Sequence, residues 1–559
     1  MEYLKLVKVY EALEKTTKRL EKTDIISDFI KNIPENELPY MIHLIEGKVF
    51  PESDERKIGM SSQLVLKVIA RSTGNSITEI EKEWRKQGDL GIVTEEFVKV
   101  KKQRTLASKE LTTLHVYENI RKLAELEGQG TVDRKISLMS ELITNAKPEE
   151  GKFIVRTILE ELRIGVSAGI IRDSISKAFD IDVNEIEKAF NLVVDYGKIA
   201  VLAKKGLSHL TKVDLEPGNP TKVMLAILVN SVAEGFEYLG KPLQAEVKLD
   251  GFRCTIHNDG KNIYLFTRRM ENVTNQFKEL IPIIKKQIKG NTYIIDSELV
   301  GYDPKTKKYL PFQNISQRIK RKYDIEKMAK DFPVEINAFD ILYYNGKNVQ
   351  EKPLRERREL LEKIISEKKY EIILAKKLVS DNEKEIEKFF KNSVKEGYEG
   401  IMLKNLDAVY MPGRYVNYMC KLKPTLEPLD LVIVGAQWGE GKRSNWLSSF
   451  TLACQSDGKY LEIGKVGTGI KEKAEGITFK ELTKLLKPLV IETKGKDVIV
   501  KPKIIVQVEY EEIQKSTTSS SGFSLRFPRL IMLRSDKPLD EISDLNLINK
   551  IYKHQRGKK

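Results

Sequence analysis

The stretch Ala245-Glu246-Val247-Lys248-Leu249-Asp250-Gly251-Phe252-Arg253 alternates apolar residues with charged ones. Side chains on a strand point to opposite faces in turn. Ala245, Val247 and Leu249 therefore share a face fit for packing, and Glu246, Lys248 and Asp250 share the other. A lysine held on a sheet face among other charges is a candidate nucleophile. Its amine attacks only when deprotonated, so burial, a nearby cation or a bound metal must lower its pKa. Gly251 lets the backbone turn close to a phosphate, and Arg253 brings a charge to meet it. A surface lysine before a β-turn would look the same residue by residue; the joint spacing K-x-D-G-x-R is the more specific signal.

Outward from this strand, His257-Asn258-Asp259-Gly260 reads as a tight hairpin turn. Further strand candidates lie at 293–302, 335–344 and 400–404, so the middle region, 216–426, is expected to be α+β. Before it, Leu4, Val7, Tyr10 and Leu13 recur at helical spacing, and similar patterns continue through Leu123, 153–162 and 170–190. Gly88-Asp89-Leu90-Gly91 and Gly128-Gln129-Gly130 punctuate these helices. Residues 1–215 are read as an all-α domain that ends where Leu215-Glu216-Pro217-Gly218-Asn219-Pro220 breaks the pattern. A second boundary falls at 424–428. Beyond it a new strand candidate at 430–436, with Gly439, Gly441, Gly464, Gly467 and Gly469 following, suits a small β-barrel over 427–559.

A chain of 559 residues is too long for one core, which agrees with a multidomain reading. The net charge of +15 favours a polyanionic partner such as nucleic acid. A solvated basic surface without a partner would give the same balance. The three cysteines, Cys254, Cys420 and Cys454, are far apart, which argues against a zinc module or a disulfide scaffold. There is no stretch of 18 or more apolar residues and no signal-peptide core, so no membrane association and a cytoplasmic location are expected.

The lysine motif resembles the nucleotide-binding signature of covalent nucleotidyltransferases, and further motifs of that superfamily follow in order. Thr267-Arg268-Arg269-Met270-Glu271-Asn272-Val273-Thr274 is similar to the second, which implies Arg268 at the nucleotide's sugar and phosphate. Asp296-Ser297-Glu298 is similar to the next, which implies Glu298 at ribose or a metal. Asn337-Ala338-Phe339-Asp340 implies that Phe339 stacks on adenine. Glu399-Gly400-Ile401-Met402-Leu403-Lys404 and Lys421-Leu422-Lys423 are similar to the fourth and fifth. Taken singly, Phe339 could be core, Glu399 a loop carboxylate and Arg268 half of a surface pair; their joint order is what gives them roles. The set suits nucleotidyl transfer. Arg253, Arg268, Lys404, Lys421 and Lys423 supply cations for phosphate, Glu246 is expected near the base, and Glu298 and Glu399 are the candidate Mg²⁺ ligands.

Over essentially its whole length the chain resembles the ATP-dependent DNA ligases of archaeal and eukaryotic type. The helical N-terminal third carries Glu14-Lys15-Thr16-Thr17, Gly88-Asp89-Leu90-Gly91, Leu162-Arg163-Ile164-Gly165-Val166 and Ile171-Arg172-Asp173, which resemble that family's DNA-binding domain. Capping enzymes and small RNA ligases lack such a domain, and a non-catalytic DNA-binding scaffold would not need the nucleophile. The C-terminal region resembles the family's OB-fold. In it, Ser521-Gly522-Phe523-Ser524-Leu525-Arg526-Phe527-Pro528-Arg529 and Arg534-Ser535-Asp536-Lys537 look like the last motif, which orients the ATP pyrophosphate. NAD-dependent relatives carry a four-cysteine zinc module, so ATP is the expected cofactor, with Mg²⁺. The resemblance implies a monomer that seals nicks in duplex DNA through a lysine–AMP intermediate and 5′-adenylated DNA, in replication, repair and recombination. Two stretches depart from the family pattern. Arg414, in the loop before Lys421, is matched to a basic nucleotide-binding residue of that loop. Gln103-Arg104-Thr105-Leu106-Ala107 lacks the adjacent aromatics with which relatives bind a sliding clamp.

Overall fold

The structure, a computed structural model, describes residues 1–101, 110–319, 321, 323–413, 415–424, 426–439, 443, 445–472 and 476–555. Arg414 and the stretch 103–107 lie outside the described residues. The chain divides into two compact units. One comprises Met1–Leu225, Gly251–Ala375 and Leu406–Val416; the other comprises Ala226–Asp250, Lys376–Asn405 and Asn417–Lys559. The middle region thus contributes a sheet to each unit.

In the first unit, helices run from Tyr3–Lys15 to Leu207–Leu210. Their apolar faces, including Tyr3, Leu6, Tyr10, Leu13 and Phe153, form one continuous core. The glycine-bearing punctuation acts as expected: Gly88 closes the helix Ile77–Gln87 in the left-handed conformation at φ 70°, and Asp89 accepts from the Gly91 N–H to open Leu90–Lys99. Glu14 and Asp89, from two of the motifs, meet at a residue that neither motif contains, and Arg163, from a third, joins them at Asp89. Buried Arg156 pairs with Glu14 at 3.0 Å and with Asp89 at 2.8 Å, and Arg163 approaches Asp89 at 3.5 Å. A buried arginine fastened to a helix N-cap and to a third helix holds the bundle together.

The sheet of this unit is built from β3 (Phe252–Asn258), β4 (Ile263–Thr267), β5 (Tyr293–Gly301), β6 (Val334–Tyr344), β7 (Lys347–Asn348) and β8 (Ile372–Leu374). Its order is β4-β3-β5-β6-β7, with β8 parallel to β6. The expected hairpin joins β3 to β4 but turns two residues later than read, at Asp259-Gly260-Lys261-Asn262, since His257 and Asn258 continue β3; Asp259 Oδ1 accepts from the N–H groups of Lys261 and Asn262. Phe252, Cys254, Ile256, Ile295, Leu299, Ile336 and Ala338 form the buried face.

The second unit holds β1 (Leu225–Val229), β2 (Leu243–Lys248), β9 (Lys377–Ser380), β10 (Gly400–Asn405) and β11 (Tyr415–Leu422), in the order β1-β11-β10-β2-β9. Leu243, Ala245, Ile401, Leu403, Cys420 and Leu422 pack with Val232, Phe236 and Ile386, which come from the helices Val232–Leu239 and Glu383–Lys395. The C-terminal region of this unit is β-rich, as the sequence implies. It contains β12 (Leu429–Trp438), β13 (Leu447–Ser456), β14 (Lys459–Val466), β15 (Val490–Lys494), β16 (Asp497–Val500), β17 (Ile505–Glu509), β18 (Glu512–Lys515), β19 (Phe523–Arg526) and β20 (Arg529–Leu533). The sheet runs β14-β13-β12-β16-β15, with β17 pairing both β12 and β20; β18 and β19 form a separate hairpin. All three cysteines are buried and free, and no helix among the described residues is long and apolar enough to cross a membrane.

Candidate active site

The alternation read from the sequence is the register of the sheet. Val247 faces Ile401 on β10 and Leu422 faces the same residue from β11, all on the apolar side. One step along, Lys248 stands opposite Gly400, Glu246 opposite Met402, and Lys421 opposite that same Met402. Glu246, Lys248, Lys404 and Lys421 therefore share one face, and Lys423 follows directly. Gly400 is required here. Its φ is +147°, and a Cβ on it would lie 2.2 Å from the carbonyl oxygen of Leu422.

Charges on this face are tied in two sets. Lys404 and Glu246 form a buried ion pair at 2.5 Å, and Glu246 also accepts from the Gln244 side chain at 2.6 Å. The second set surrounds the candidate nucleophile. The Lys248 ammonium donates to Glu399 Oε2, while Lys423 donates to the other Glu399 oxygen at 2.7 Å and to Glu511 at 2.7 Å. Burial disfavours a charged Glu399, but the two lysines outweigh it and hold its carboxyl at about 2. The Lys421 ammonium is pushed below its usual range, first by burial and then by Lys423. Lys423 responds the other way: burial opposes its charge, but Glu399 and Glu511 raise its pKa.

The first unit's sheet repeats the plan with different chemistry. Arg253 on β3 stands opposite Glu298 on β5, which stands opposite Asn337 on β6. Arg253 grips fully buried Asp296 through Nε at 2.9 Å and Nη2 at 2.6 Å, and donates to the Met224 carbonyl at 2.6 Å. Tyr410 closes the group, its hydroxyl donating to Asp296 at 2.8 Å and accepting from the Met224 N–H at 3.1 Å. Burial opposes the Arg253 charge, but Asp296 and Tyr410 more than restore it, and the guanidinium stays charged. Phe339 sits where β6 carries one residue more than β5: Ala338 pairs with Ser297 and Asp340 with Asp296, so Phe339 is the bulged residue. Its half-buried ring lies 5.5 Å from the Arg253 guanidinium. Arg268 is exposed in the turn after β4. Gly251 is needed for packing, since a Cβ there would stand 2.2 Å from the Leu299 carbonyl oxygen.

Among the described residues no group of three or more His, Cys, Asp or Glu side chains could hold a metal ion by itself. Mg²⁺ takes one or two carboxylates and completes its shell with substrate phosphates and water, and Glu298 and Glu399 are carboxylates of that kind. In the last motif, Arg534 and Lys537 both reach Asp430, at 2.8 and 2.7 Å, while Phe527 and Arg529 are exposed.

Asp296 carries no signal of its own within its motif, and Tyr410, Glu511 and Arg156 belong to none. Each acts through a partner far along the chain. Asp296 is 43 residues from Arg253, and Tyr410 is 157. Strand register brings Asp296 to Arg253, and helix packing brings Glu14 and Asp89 to Arg156.

Residues 2–176 match the family model described as DNA ligase N terminus, 223–423 the ATP dependent DNA ligase domain, and 443–537 the ATP dependent DNA ligase C terminal region. The chain is 48% identical to a DNA ligase of Nanoarchaeum equitans (strain Kin4-M), covering 100% of this chain and 99% of that one. It is 41% identical to a DNA ligase of Thermococcus onnurineus (strain NA1), covering 99% and 98%. A solved structure described as Pmar-Lig_PreS3 shares the fold, with a TM-score of 0.60 at 18% identity over 95% of this chain and 99% of that one.

Proposed function

The chain belongs to the family of ATP-dependent DNA ligases, and from that premise we propose that Lys248 is the residue that carries AMP. Enzymes of this family seal nicks in duplex DNA through a covalent adenylate, using ATP and Mg²⁺. The observation that carries the assignment is the charge face of the second unit. There one lysine, Lys248, is bound to a carboxylate that a second lysine also holds, with a third cation, Lys421, beside them.

In the first step the Lys248 amine, once its proton has left, attacks the α-phosphorus. A P–N bond forms, the P–O bond to pyrophosphate breaks, and pyrophosphate leaves. Lys421 and Lys423 stand on the same face as the nucleophile, where they neutralise phosphate oxygens. Glu399 orients the Lys248 ammonium before the proton leaves. AMP then passes to the 5′-phosphate at the nick. Finally the 3′-hydroxyl attacks that phosphate, the phosphodiester forms and AMP departs. Mg²⁺, when bound, neutralises phosphate charge; Glu298 and Glu399 are its proposed protein ligands. For Glu399, that role requires it to exchange a lysine for the metal.

The remaining roles are proposals of the same kind. Phe339 stacks on adenine, Arg268 and Glu298 bind the sugar and phosphate, Arg253 and Lys404 bring cations to phosphate, and Glu246 lies near the base. Arg414 is proposed as a further nucleotide contact. The enzyme is proposed to act as a monomer, without clamp attachment through 103–107, whose sequence lacks the paired aromatics.

Incubation with labelled ATP and Mg²⁺ tests the central assignment. The parent forms an AMP adduct that maps to Lys248, and Lys248→Ala forms none. An adduct of undiminished yield in Lys248→Ala would reject it.

A further inference from the structure

Arg268 stands in a turn that is fastened to the helical region at two points. β4 is an edge strand of its sheet, and the turn follows directly from its last residue, Thr267. The Met270 N–H donates to the Thr267 carbonyl at 2.8 Å, closing a four-residue turn with Arg268 and Arg269 at its centre. The Thr267 hydroxyl accepts from the Arg269 and Glu271 N–H groups, each at 3.3 Å. The direction in which Arg268 leaves the chain is thus set by the turn, and the turn by what holds its two ends.

The near end is held by β4. The far end is held from outside the sheet. Met270 has φ +65°, a left-handed conformation that a long side chain rarely adopts. Its side chain is buried in the core of the helices; among the described residues it is the only buried apolar one beyond Leu210 to join that core. Such a backbone persists where its surroundings over-determine it. Two residues on, the Asn272 N–H donates to Glu55 Oε2 at 2.8 Å. Glu55 lies in the segment between the helices Leu38–Ile45 and Ser62–Thr73. That segment is itself tied down. The buried Phe50 ring meets the guanidiniums of Arg56 and Arg121 at 4.6 and 4.5 Å. Arg56 pairs with Asp54 at 2.6 Å, and Glu52 pairs with Lys222 at 2.5 Å.

We propose that Glu55 is a positioning residue for the nucleotide: with Met270 it docks the Arg268 turn on the helical region, so that this region takes part in binding ATP. This rests on the reading of Arg268 as a nucleotide contact. Glu55 does not touch ATP; it acts through the Asn272 N–H and the turn before it. A loop held in its binding conformation loses less freedom when the ligand arrives, and that difference is read as affinity.

The test is self-adenylation of the full chain, followed with labelled ATP and Mg²⁺ in single turnover over a range of ATP concentrations. It yields a half-saturating concentration and a limiting rate. Glu55→Ala is expected to raise the half-saturating concentration roughly 3- to 10-fold, the scale of one hydrogen bond, with the limiting rate held. Glu55→Gln keeps an oxygen that can accept the Asn272 N–H, and is expected to stay within about twofold of the parent. The sign discriminates, because removing a negative charge by itself favours a polyanion such as ATP and would lower the value. A merely structural role would reduce the fraction of protein that is adenylated and leave the half-saturating concentration unchanged. Arg268→Ala is expected to raise the value on its own. In that background Glu55→Ala is expected to add no further rise, because the side chain it positions is gone. A parent-like value for Glu55→Ala, beside a raised one for Arg268→Ala, overturns the inference and leaves Arg268 a nucleotide contact. So does a full further rise from Glu55→Ala in the Arg268→Ala background. A parent-like value for Arg268→Ala overturns the reading of Arg268, and the inference with it.

Discussion

Lys248 and Arg253 lie in one hexapeptide, and the sheets they enter follow one plan: an apolar face against helices and a charged face opposite. The partners of the two cations differ. Arg253 is bound to a fully buried aspartate, a backbone carbonyl and a tyrosine hydroxyl, so its N–H groups are met by fixed acceptors. Lys248 is bound to one carboxylate, which a second lysine shares, and that lysine shares itself with a third residue. The first arrangement holds chain segments together. The second is a set of shared charges, in which one carboxylate is divided between two lysines and one of those lysines between two carboxylates. A buried pair loses its value when either partner is removed, because the other is left charged without compensation. A shared cluster redistributes instead.

The largest effect expected from this contrast is on stability at Asp296. Asp296→Ala leaves the Arg253 guanidinium and the Tyr410 hydroxyl without their acceptor in a dry site. Loss of a partner from a buried pair costs about 3–5 kcal/mol. Denaturant unfolding of the unit containing the sheet should show a loss of that size, at neutral pH. If Asp296→Ala unfolds with the parent while adenylation collapses, the pair belongs to the chemistry and the contrast fails.

Glu399→Gln probes the other arrangement through pH. The Glu399 carboxyl is held at about 2, against an ordinary value of 4.5, by Lys248 and Lys423 working against burial. A carboxylate depressed in the folded state stabilises above its unfolded pKa and loses that contribution as pH falls through its folded value. The parent should therefore carry about 3 kcal/mol at neutral pH from this group, lost progressively between about pH 5 and about pH 2. Glu399→Gln should be less stable than the parent at pH 7 by up to that amount, the gap closing on acidification. A gap that stays constant down to pH 2 would show that the carboxylate is not held by its lysines.

How much of this was readable beforehand depends on the length scale of the signal. The packing and charged faces around Lys248 were legible, because a period of two survives in any one strand, and Ala245 and Val247 lie on the apolar side of β2, which ends at Lys248 before Leu249. The helix ends at Gly88 and Asp89 were legible because capping is a local backbone requirement. The partners were not. Arg253 reads as a phosphate contact in isolation, and only the register of β3 on β5 reveals Asp296 beneath it. Gly251 reads as clearance for a ligand, whereas the nearest obstruction is the Leu299 carbonyl. Glu511 has no local signature, because its place is fixed by where β12 begins against β17. Arg156 is one charge in an amphipathic helix until Glu14 and Asp89 are folded onto it.

The smallest effect, and the finest discrimination, falls at Phe339. Alternation along β6 puts Ile336 and Ala338 in the apolar core and Phe339 with Asn337 on the other face, and the extra residue between Ala338 and Asp340 moves the next core position to Ile341. The Phe339 ring is half-buried beside the Arg253 guanidinium, at 5.5 Å. A half-exposed ring next to a fixed cation is suited to stacking on a planar base, and such contacts contribute about 0.5–1.5 kcal/mol. Phe339→Leu keeps apolar bulk but removes the ring face. If stacking binds ground state and transition state alike, KM for ATP in the adenylation step should rise roughly 3- to 10-fold while kcat is held. Unfolding should move by less than the Asp296 variant, because the ring supports no buried polar group. An unchanged KM would place Phe339 with Asp296 as part of the frame; a fall in kcat at constant KM would assign it to the reacting geometry around Lys248. Either outcome would redraw the line between the sheet that holds and the sheet that reacts.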